Sequence, residues 1–212
     1  MGRRFSVHDD HFEKELYENV KEWHARQPLH NTMLPGSGVR SHHDGSAIYG
    51  DTLVWSGELV DDDVLGPVTV AIKSLAMQDT RLFGEYEQDW DAFTLTPWCH
   101  PAGSRLGWHT DLLDSGPTRV GAFTWYLNDD WDYDWGGHLQ IIDRDHSDVE
   151  MVSQASWKGK TPSVSSSIPD VIPPRANRFV AFKSGTWHSV SRVDLTAGDR
   201  MRRSIVGFFI KT

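Results

Sequence analysis

The sequence predicts a mostly β protein with helices in its N-terminal part, and two patterns support this fold class. In residues 1–90, apolar side chains recur at helical spacing in two places, whereas after residue 90 short apolar runs alternate with turn residues. The 212 residues suit one domain with a sizeable core, and no internal repeat or linker divides them. We therefore expect a single domain over 1–212, with helical support in 1–90 and an antiparallel β-sandwich or barrel in 91–212.

The first helix is predicted where apolar residues between positions 12 and 23 repeat every three to four residues. Ser6 or Asp9 is expected to cap its N-terminus, because both side chains can accept a hydrogen bond from the first turn. Pro28 is expected to end it. The residues that follow, 30–51, are rich in Gly, Ser, His and Asn, and we interpret them as a loop or lid.

A second helix is expected within residues 64–83, where apolar positions support helical spacing in part of the stretch. Asp61, Asp62 and Asp63 precede it, and acidic side chains complement the positive end of a helix dipole. Pro67 must then lie in the first turn, where its missing N–H is tolerated.

Several short strands are predicted after residue 90, each an apolar run bounded by turn residues. The runs lie at 93–98, 120–127, 139–142, 179–182 and 204–210. The polar segment 143–172 between them contains Ser163, Ser165, Ser166 and Ser167, and we interpret it as a long surface loop of the kind that covers substrate sites.

Composition and charge exclude several classes of partner. The formal charge is −9, and the densest basic cluster is Arg200, Arg202 and Arg203, so we expect no nucleic-acid partner. No apolar run approaches the ~20 residues of a membrane helix, so we expect no membrane. Cys99 is the single cysteine and no apolar signal core follows Met1, so we expect a cytoplasmic protein.

Two histidines and one aspartate are the basis of the functional prediction. His109 and Asp111 are two residues apart, and on a strand such residues point to the same face. A third ligand must come from a neighbouring strand, and His188 is the candidate. Two imidazoles and a carboxylate are the ligand set of a non-haem iron(II) site, which leaves one side of the metal open to bound molecules.

The His-x-Asp pattern alone is weak evidence for a metal. It arises by chance in many proteins, and with eleven histidines in this chain some histidine must follow it. A surface pair and a separately buried His188 therefore remain an alternative on these residues alone.

Further motifs follow His109 and Asp111 along the chain. They are Tyr126-Leu127-Asn128, Gly136-Gly137 with Leu139, His188, and Arg202 at the start of the last strand. This order resembles the iron(II)/2-oxoglutarate-dependent dioxygenases, and in particular their prolyl-4-hydroxylase-like branch, across residues 97–210. The resemblance implies a double-stranded β-helix core, which is a jelly-roll or cupin-like fold.

The resemblance also implies the cofactors. His109, Asp111 and His188 would be the catalytic ligands of Fe(II), with 2-oxoglutarate as co-substrate and O2 as oxidant. The far carboxylate of 2-oxoglutarate needs a cation, and the family pattern Arg-x-Ser-Ile selects Arg202 over Arg203. Arginine suits this role because it donates two parallel hydrogen bonds to a carboxylate.

Four further residues are expected in the co-substrate pocket. Tyr126 matches a family tyrosine that hydrogen-bonds the same carboxylate, and Thr124 shares its strand face. Leu139 is expected to pack on the methylene groups of 2-oxoglutarate. His100 stands where a tyrosine is common in this branch, so the sequence departs from the family pattern there.

The substrate is predicted less closely. Arg119 matches an arginine near the active-site mouth of relatives, where it would bind a substrate carboxylate or form a structural salt bridge, and Trp135 is a second candidate. We expect hydroxylation of an unactivated C–H of a small molecule or free amino acid, with release of succinate and CO2. Because Asp111 is present, halogenation is disfavoured. A prolyl residue in a protein or peptide, and desaturation or cyclisation, remain alternatives.

Two readings lie outside this activity. A cupin-like metalloenzyme would act without any 2-oxo acid and would not need Arg202, whereas a non-catalytic sensor would keep the fold and lose turnover. The sequence leaves the oligomeric state open.

Overall fold

The computed structural model describes residues 2–32, 43–113, 116–153 and 160–212. Within these ranges the α-helices lie before residue 90: α1 (Lys14–Arg26), α2 (Leu65–Gln78) and α3 (Thr80–Phe83). The strands are β1 (Phe5–Asp9), β2 (His30–Asn31), β3 (His43–Asp44), β4 (Ile48–Tyr49), β5 (Leu53–Trp55), β6 (Ala92–Pro101), β7 (Arg105–His109), β8 (Thr118–Tyr126), β9 (Leu139–Asp145), β10 (Met151–Ser153), β11 (Lys160–Pro162), β12 (Asp170–Ile172), β13 (Arg178–Lys183), β14 (Thr186–Val190) and β15 (Met201–Lys211).

Two antiparallel sheets form the β-core. The larger has eight strands in the order β1-β13-β8-β15-β6-β4-β2, with β5 also paired to β6. The smaller has five strands in the order β12-β9-β14-β7-β3. The mostly β fold with N-terminal helices is thereby confirmed, and each of the five predicted strands lies largely within a longer observed one.

The larger sheet separates two apolar layers. Successive residues of β8 point to opposite faces, so Phe123 and Trp125 pack in a cluster with the helices, whereas Ala122 and Tyr126 pack in a cluster with the smaller sheet. The second layer, between the two sheets, is where the candidate site lies.

The first helix begins later than the sequence predicts. Neither Ser6 nor Asp9 caps α1, because both belong to β1, which pairs residue by residue with β13. Glu13 precedes the helix without a side-chain capping bond, and α1 ends at Arg26, two residues before Pro28. The alternation that places Phe5 in the core makes this segment a strand.

The second helix follows the prediction closely. The Asp62 carboxylate accepts hydrogen bonds from the Val64 and Leu65 amides at 2.8 and 2.7 Å. Pro67 lies in the first turn of α2, where the N–H that it lacks would have no helical partner. None of the helices in the described ranges has the length and apolar character that a membrane crossing needs.

The two predicted loops contain short strands. In 30–51, β3 pairs with β7 of the smaller sheet and β4 pairs with β6 of the larger one, so the chain crosses from one sheet to the other. In 143–172, β12 extends the smaller sheet beyond β9. Residues 33–42 and 154–159 of these loops lie outside the described residues.

Candidate active site

The three predicted metal ligands meet at one end of the smaller sheet. His109 ends β7 and is the register partner of His188 in β14, with the ring centroids 4.2 Å apart. Asp111 follows just after the strand, and its carboxylate oxygens lie 3.6 Å from His109 Nε2 and 3.3 Å from His188 Nε2. One ligand atom from each residue lies within 4.8 Å of the others.

Backbone carbonyls orient both imidazole rings. His109 Nδ1 lies 2.8 Å from the Gly107 carbonyl oxygen, and His188 Nδ1 lies 2.9 Å from that of Thr186. A carbonyl can only accept, so each Nδ1 carries a proton and each Nε2 is the ring nitrogen that can bind a metal. Two imidazoles and one carboxylate, all largely buried, fit a divalent iron with open coordination positions.

A buried cation stands apart from this ligand set. Arg202 is 1% exposed, and its guanidinium lies 3.3 Å from His100 Nδ1, 3.4 Å from the Ser204 hydroxyl and 3.4 Å from the Tyr126 hydroxyl. Its Nε has no hydrogen-bond partner, and no carboxylate of the described residues pairs with it. A buried guanidinium is costly without an anion, so this environment is suited to a bound carboxylate.

The neighbouring arginine has a different environment. Arg203 is exposed, and its backbone amide donates to the Asn128 side chain at 2.7 Å. Arg202, which the family pattern selects over Arg203, thus lies between the sheets, whereas Arg203 is on the exposed face of β15.

One cavity of about 470 Å³ joins the metal ligands to Arg202. This volume lies within the range of small-molecule sites, roughly 300–1,000 Å³. Thr124, Leu139 and His100 line it, and the buried Thr124 hydroxyl has no partner among the described residues. Tyr126 is behind the cavity wall, and its hydroxyl contacts the guanidinium of Arg202. The structure therefore brings together all the residues that the sequence predicts for metal and co-substrate.

The two predicted substrate residues have different locations. Arg119 lines the cavity beside Asp111, where its Nη1 lies 3.4 Å from the Asp111 carbonyl and its guanidinium lies 3.7 Å above the Phe208 ring. Burial lowers the pKa of Arg119, and the charge of Asp111 opposes this effect.

Trp135 does not reach this cavity. Its ring packs edge-on against Trp131, with centroids 5.5 Å apart, and Arg200 lies 4.6 Å from its centroid. The prediction that Trp135 contacts substrate receives no support from this location, because the tryptophan packs against Trp131 and Arg200 instead of lining the cavity.

Several lining residues were not predicted from the sequence. Thr94, Thr96 and Trp98 lie at alternate positions of β6, Tyr49 ends β4, and Thr52 lies between β4 and β5. The alternation along β6 was a usable signal, because Thr94, Thr96 and Trp98 share a strand face with His100. The interpretation of 30–51 as a loop or lid included Tyr49 but did not single it out as a lining residue.

Comparisons with known proteins agree with this geometry. A family model described as the 2OG-Fe(II) oxygenase superfamily matches residues 95–210, which is more than half of the chain. No curated protein matches the sequence.

Solved structures share the fold at low sequence identity. A prolyl-4-hydroxylase from Pseudomonas putida has a TM-score of 0.69 and 16% identity, with 99% of this chain and 94% of that chain covered. A prolyl hydroxylase from Trichoplax adhaerens, solved with a peptide fragment of the hypoxia inducible factor oxygen degradation domain, has a TM-score of 0.64 and 16% identity over 98% and 84%. The epimerase SnoN, solved with Fe3+, alpha ketoglutarate and nogalamycin RO, has a TM-score of 0.64 and 12% identity, with 99% of this chain and 79% of that chain covered.

Proposed function

The chain belongs to the 2OG-Fe(II) oxygenase superfamily, and we propose that it hydroxylates an unactivated C–H bond of a small molecule or free amino acid. It is a non-haem iron oxidoreductase that uses Fe(II), 2-oxoglutarate and O2. When bound, iron and 2-oxoglutarate supply the oxidation, with release of succinate and CO2. The family membership excludes the alternative of a cupin-like enzyme that needs no 2-oxo acid.

A single observation supports the assignment of this site. The cavity has His109, Asp111 and His188 in its wall, and Arg202, whose guanidinium has no carboxylate partner among the described residues, faces the same space. A 2-oxo diacid has a chelating group at one end and a carboxylate at the other, so it complements both features at once. Neither a structural metal nor a structural salt bridge explains why the two features share one cavity.

The protein residues have separate tasks in this proposal. His109, Asp111 and His188 hold the iron, and the Gly107 and Thr186 carbonyls fix the two rings. Arg202 binds the distal carboxylate, with Tyr126 and His100 orienting the guanidinium.

Leu139 and Thr124 line the wall along the co-substrate. Bulk water is excluded from the buried guanidinium of Arg202, and this strengthens its charge interaction with the distal carboxylate of 2-oxoglutarate.

The position of Arg119 supports the proposal that the substrate is anionic. It lines the cavity beside Asp111, and no carboxylate of the described residues forms an ion pair with it. A structural salt bridge, the alternative explanation of this arginine, therefore has no partner in the described chain. A carboxylate on a small substrate would place the rest of the molecule next to the metal ligands.

A prolyl residue in a protein or peptide is the second candidate substrate. The structural likeness to two prolyl hydroxylases favours it, although identities of 16% support the fold alone. Succinate release measured with a panel of small anionic molecules and with proline-containing peptides separates the two. Stimulation by the peptides alone would overturn the small-molecule proposal.

Anaerobic titration with Fe(II) and 2-oxoglutarate tests the assignment of the site. We expect the visible charge-transfer band of the chelate in the wild type, and its loss in Asp111→Ala and His188→Ala. His11→Ala, which changes an exposed histidine outside the cavity, is the matched control and should keep the band. An unchanged band in both ligand variants would contradict the proposed metal site.

A further inference from the structure

One side of the cavity is not used by the proposed function. Beyond the metal ligands and Arg202, the cavity extends along the inner face of β6 to the chain between β4 and β5. Three threonines line this side. Thr94 and Thr96 share a strand face, and the hydroxyl of Thr52 contacts that of Thr96. We call this side the threonine pocket.

Two of these hydroxyls form a pair. Thr52 Oγ1 and Thr96 Oγ1 lie 2.8 Å apart, so one donates to the other. Each hydroxyl has one proton and two lone pairs, and the shared bond therefore leaves one proton and further lone pairs for another molecule. Thr96 is 8% exposed, whereas Thr52 is exposed, so the pair runs from the buried wall to a solvent-facing end.

The third hydroxyl is engaged by the fold. Thr94 Oγ1 accepts a hydrogen bond from the Phe208 amide at 3.0 Å, where the pairing of β15 with β6 is interrupted at Gly207 and Phe208 without a change of register. The recognition capacity of the threonine pocket therefore lies in Thr52 and Thr96.

The pocket is polar but carries no charge. Its polar lining consists of Tyr49 and the three threonines, all of which are uncharged residue types, and Val206 and Phe208 add apolar surface beside them. Arg119 is on β8, and the β15 residues Val206 and Phe208 lie between β8 and β6. An anion in the threonine pocket would thus lose its hydration without gaining a cation.

We propose that Thr52 and Thr96 form a substrate subsite that recognises an uncharged group able to donate and to accept, namely a hydroxyl or a primary carboxamide. The proposal rests on the proposed function, because the group must belong to the molecule that is oxidised. An apolar group in this place would displace water from the hydroxyls and return no hydrogen bond. The pair therefore discriminates between substrates of equal size.

Isosteric amino acids provide the probes. Free L-asparagine is compared with L-leucine and L-aspartate, and free L-threonine with L-valine, by succinate release from the full chain with Fe(II) and 2-oxoglutarate. We expect the hydroxyl or carboxamide member to have about tenfold higher kcat/KM in the wild type, the effect of one neutral hydrogen bond. Thr96→Val and Thr52→Val should reduce this preference towards equality, and Thr96→Ser should restore it.

Controls separate this subsite from the other sites. Thr80→Val changes an exposed threonine at the start of α3 and should keep the preference. Equal response of the wild type to both members of every pair, including no response, overturns the subsite. A rise in the KM for 2-oxoglutarate as the main effect of Thr96→Val also overturns it and assigns the pair to the co-substrate.

The proposed function has its own readout in the same experiment. Basal succinate release and the charge-transfer band are recorded without any amino acid. If both are present and no preference appears, the subsite alone is wrong. If both are absent, the proposed function fails and the subsite fails with it.

Discussion

The backbone of Gly137 lies directly against the side chain of Arg202. A Cβ atom built on this glycine would lie 3.0 Å from Cδ of Arg202 and 3.2 Å from Cγ2 of Val193. Gly137 also has a φ of +65°, a conformation that side chains with a Cβ rarely adopt. The glycine pair in the sequence thus allows the chain to pass beneath the arginine that we assign to the co-substrate.

Gly137→Ala is expected to weaken binding of 2-oxoglutarate. The added methyl group must displace the Arg202 side chain by a few tenths of an ångström, which moves the guanidinium away from its position beside Tyr126. Since small displacements of a positioning group have large effects, we expect a roughly tenfold higher KM for 2-oxoglutarate in succinate-release assays.

Gly198→Ala is the matched control for this variant. Gly198 has a φ of +61°, and a Cβ there would meet nothing within 4 Å, so it shares the backbone strain without the steric contact. Both variants should lose stability, because a residue with a Cβ atom rarely adopts a positive φ. An equal rise in KM in the two variants would show that strain, and not contact with Arg202, is responsible.

Replacing Arg202 is expected to separate co-substrate binding from stability. In Arg202→Met, the buried cation that binds the distal carboxylate is lost, so the KM for 2-oxoglutarate should rise by roughly 100-fold. The free energy of unfolding without 2-oxoglutarate should not fall, because the guanidinium is buried without a carboxylate partner in the described chain.

Arg203→Met tests the strand phase. Arg203 is exposed on the opposite face of β15, so its replacement should leave the KM for 2-oxoglutarate unchanged. Steady-state kinetics and urea denaturation of the two variants provide the measurements. A larger KM effect in Arg203→Met than in Arg202→Met would contradict the assignment.

The parts of the fold that could be predicted from sequence are those set by local patterns of apolar residues. The 3.6-residue pattern indicates α1, which buries one face, and apolar runs bounded by turn residues indicate the long strands β6, β8 and β15, which lie between two apolar layers. The segment Phe5–Asp9 was missed because its single pairing partner, β13, lies more than 160 residues later.

The candidate site was predictable because the order of its motifs resembles that of a known family. His109 and His188 become register partners because β7 and β14 are neighbours in one sheet, which no local pattern indicates, and the family pattern Arg-x-Ser-Ile selects Arg202 on β15. The role of Trp135 in substrate binding stays a prediction that its location does not support, since composition alone does not tell which side of a loop a tryptophan packs against. Thr52 was missed for the complementary reason: its contact with Thr96 depends on a chain crossing that no local pattern indicates.

Arg119 is expected to affect the substrate and not the co-substrate. In Arg119→Gln, the cation beside Asp111 is lost while the carbonyl contact can be kept, so the KM of an anionic substrate should rise by at least about tenfold. The KM for 2-oxoglutarate should stay unchanged. Trp135→Phe, which changes a residue outside the cavity, should alter neither value in the same assay.

The outcome also bears on the two candidate substrates. A neutral prolyl peptide would lose little from Arg119→Gln if its contacts are uncharged. A rise in the KM for 2-oxoglutarate in this variant would contradict the separation of Arg119 from Arg202.

The acid sensitivity of the fold is expected to depend on His24. This residue of α1 is 2% exposed, and its Nε2 lies 3.2 Å from the Trp98 carbonyl oxygen. Burial lowers the pKa of His24 to about 4 from its ordinary value of 6.5; the hydrogen bond to Trp98 opposes this shift, and the charge of Arg203 adds to it.

Because the folded-state pKa is below the unfolded one, the unfolded chain binds a proton first as pH falls. Stability attributable to the neutral His24 is therefore fully present above pH 6.5, and it decreases until the folded state also protonates near pH 4. At pH 5 this loss amounts to about 2 kcal/mol.

Urea denaturation of the wild type and of His24→Gln between pH 7.5 and 5 provides the measurement, since glutamine can donate to Trp98 without titrating. We expect the wild type to lose about 2 kcal/mol relative to the variant over this range, and parallel stability curves would show that His24 does not titrate on unfolding.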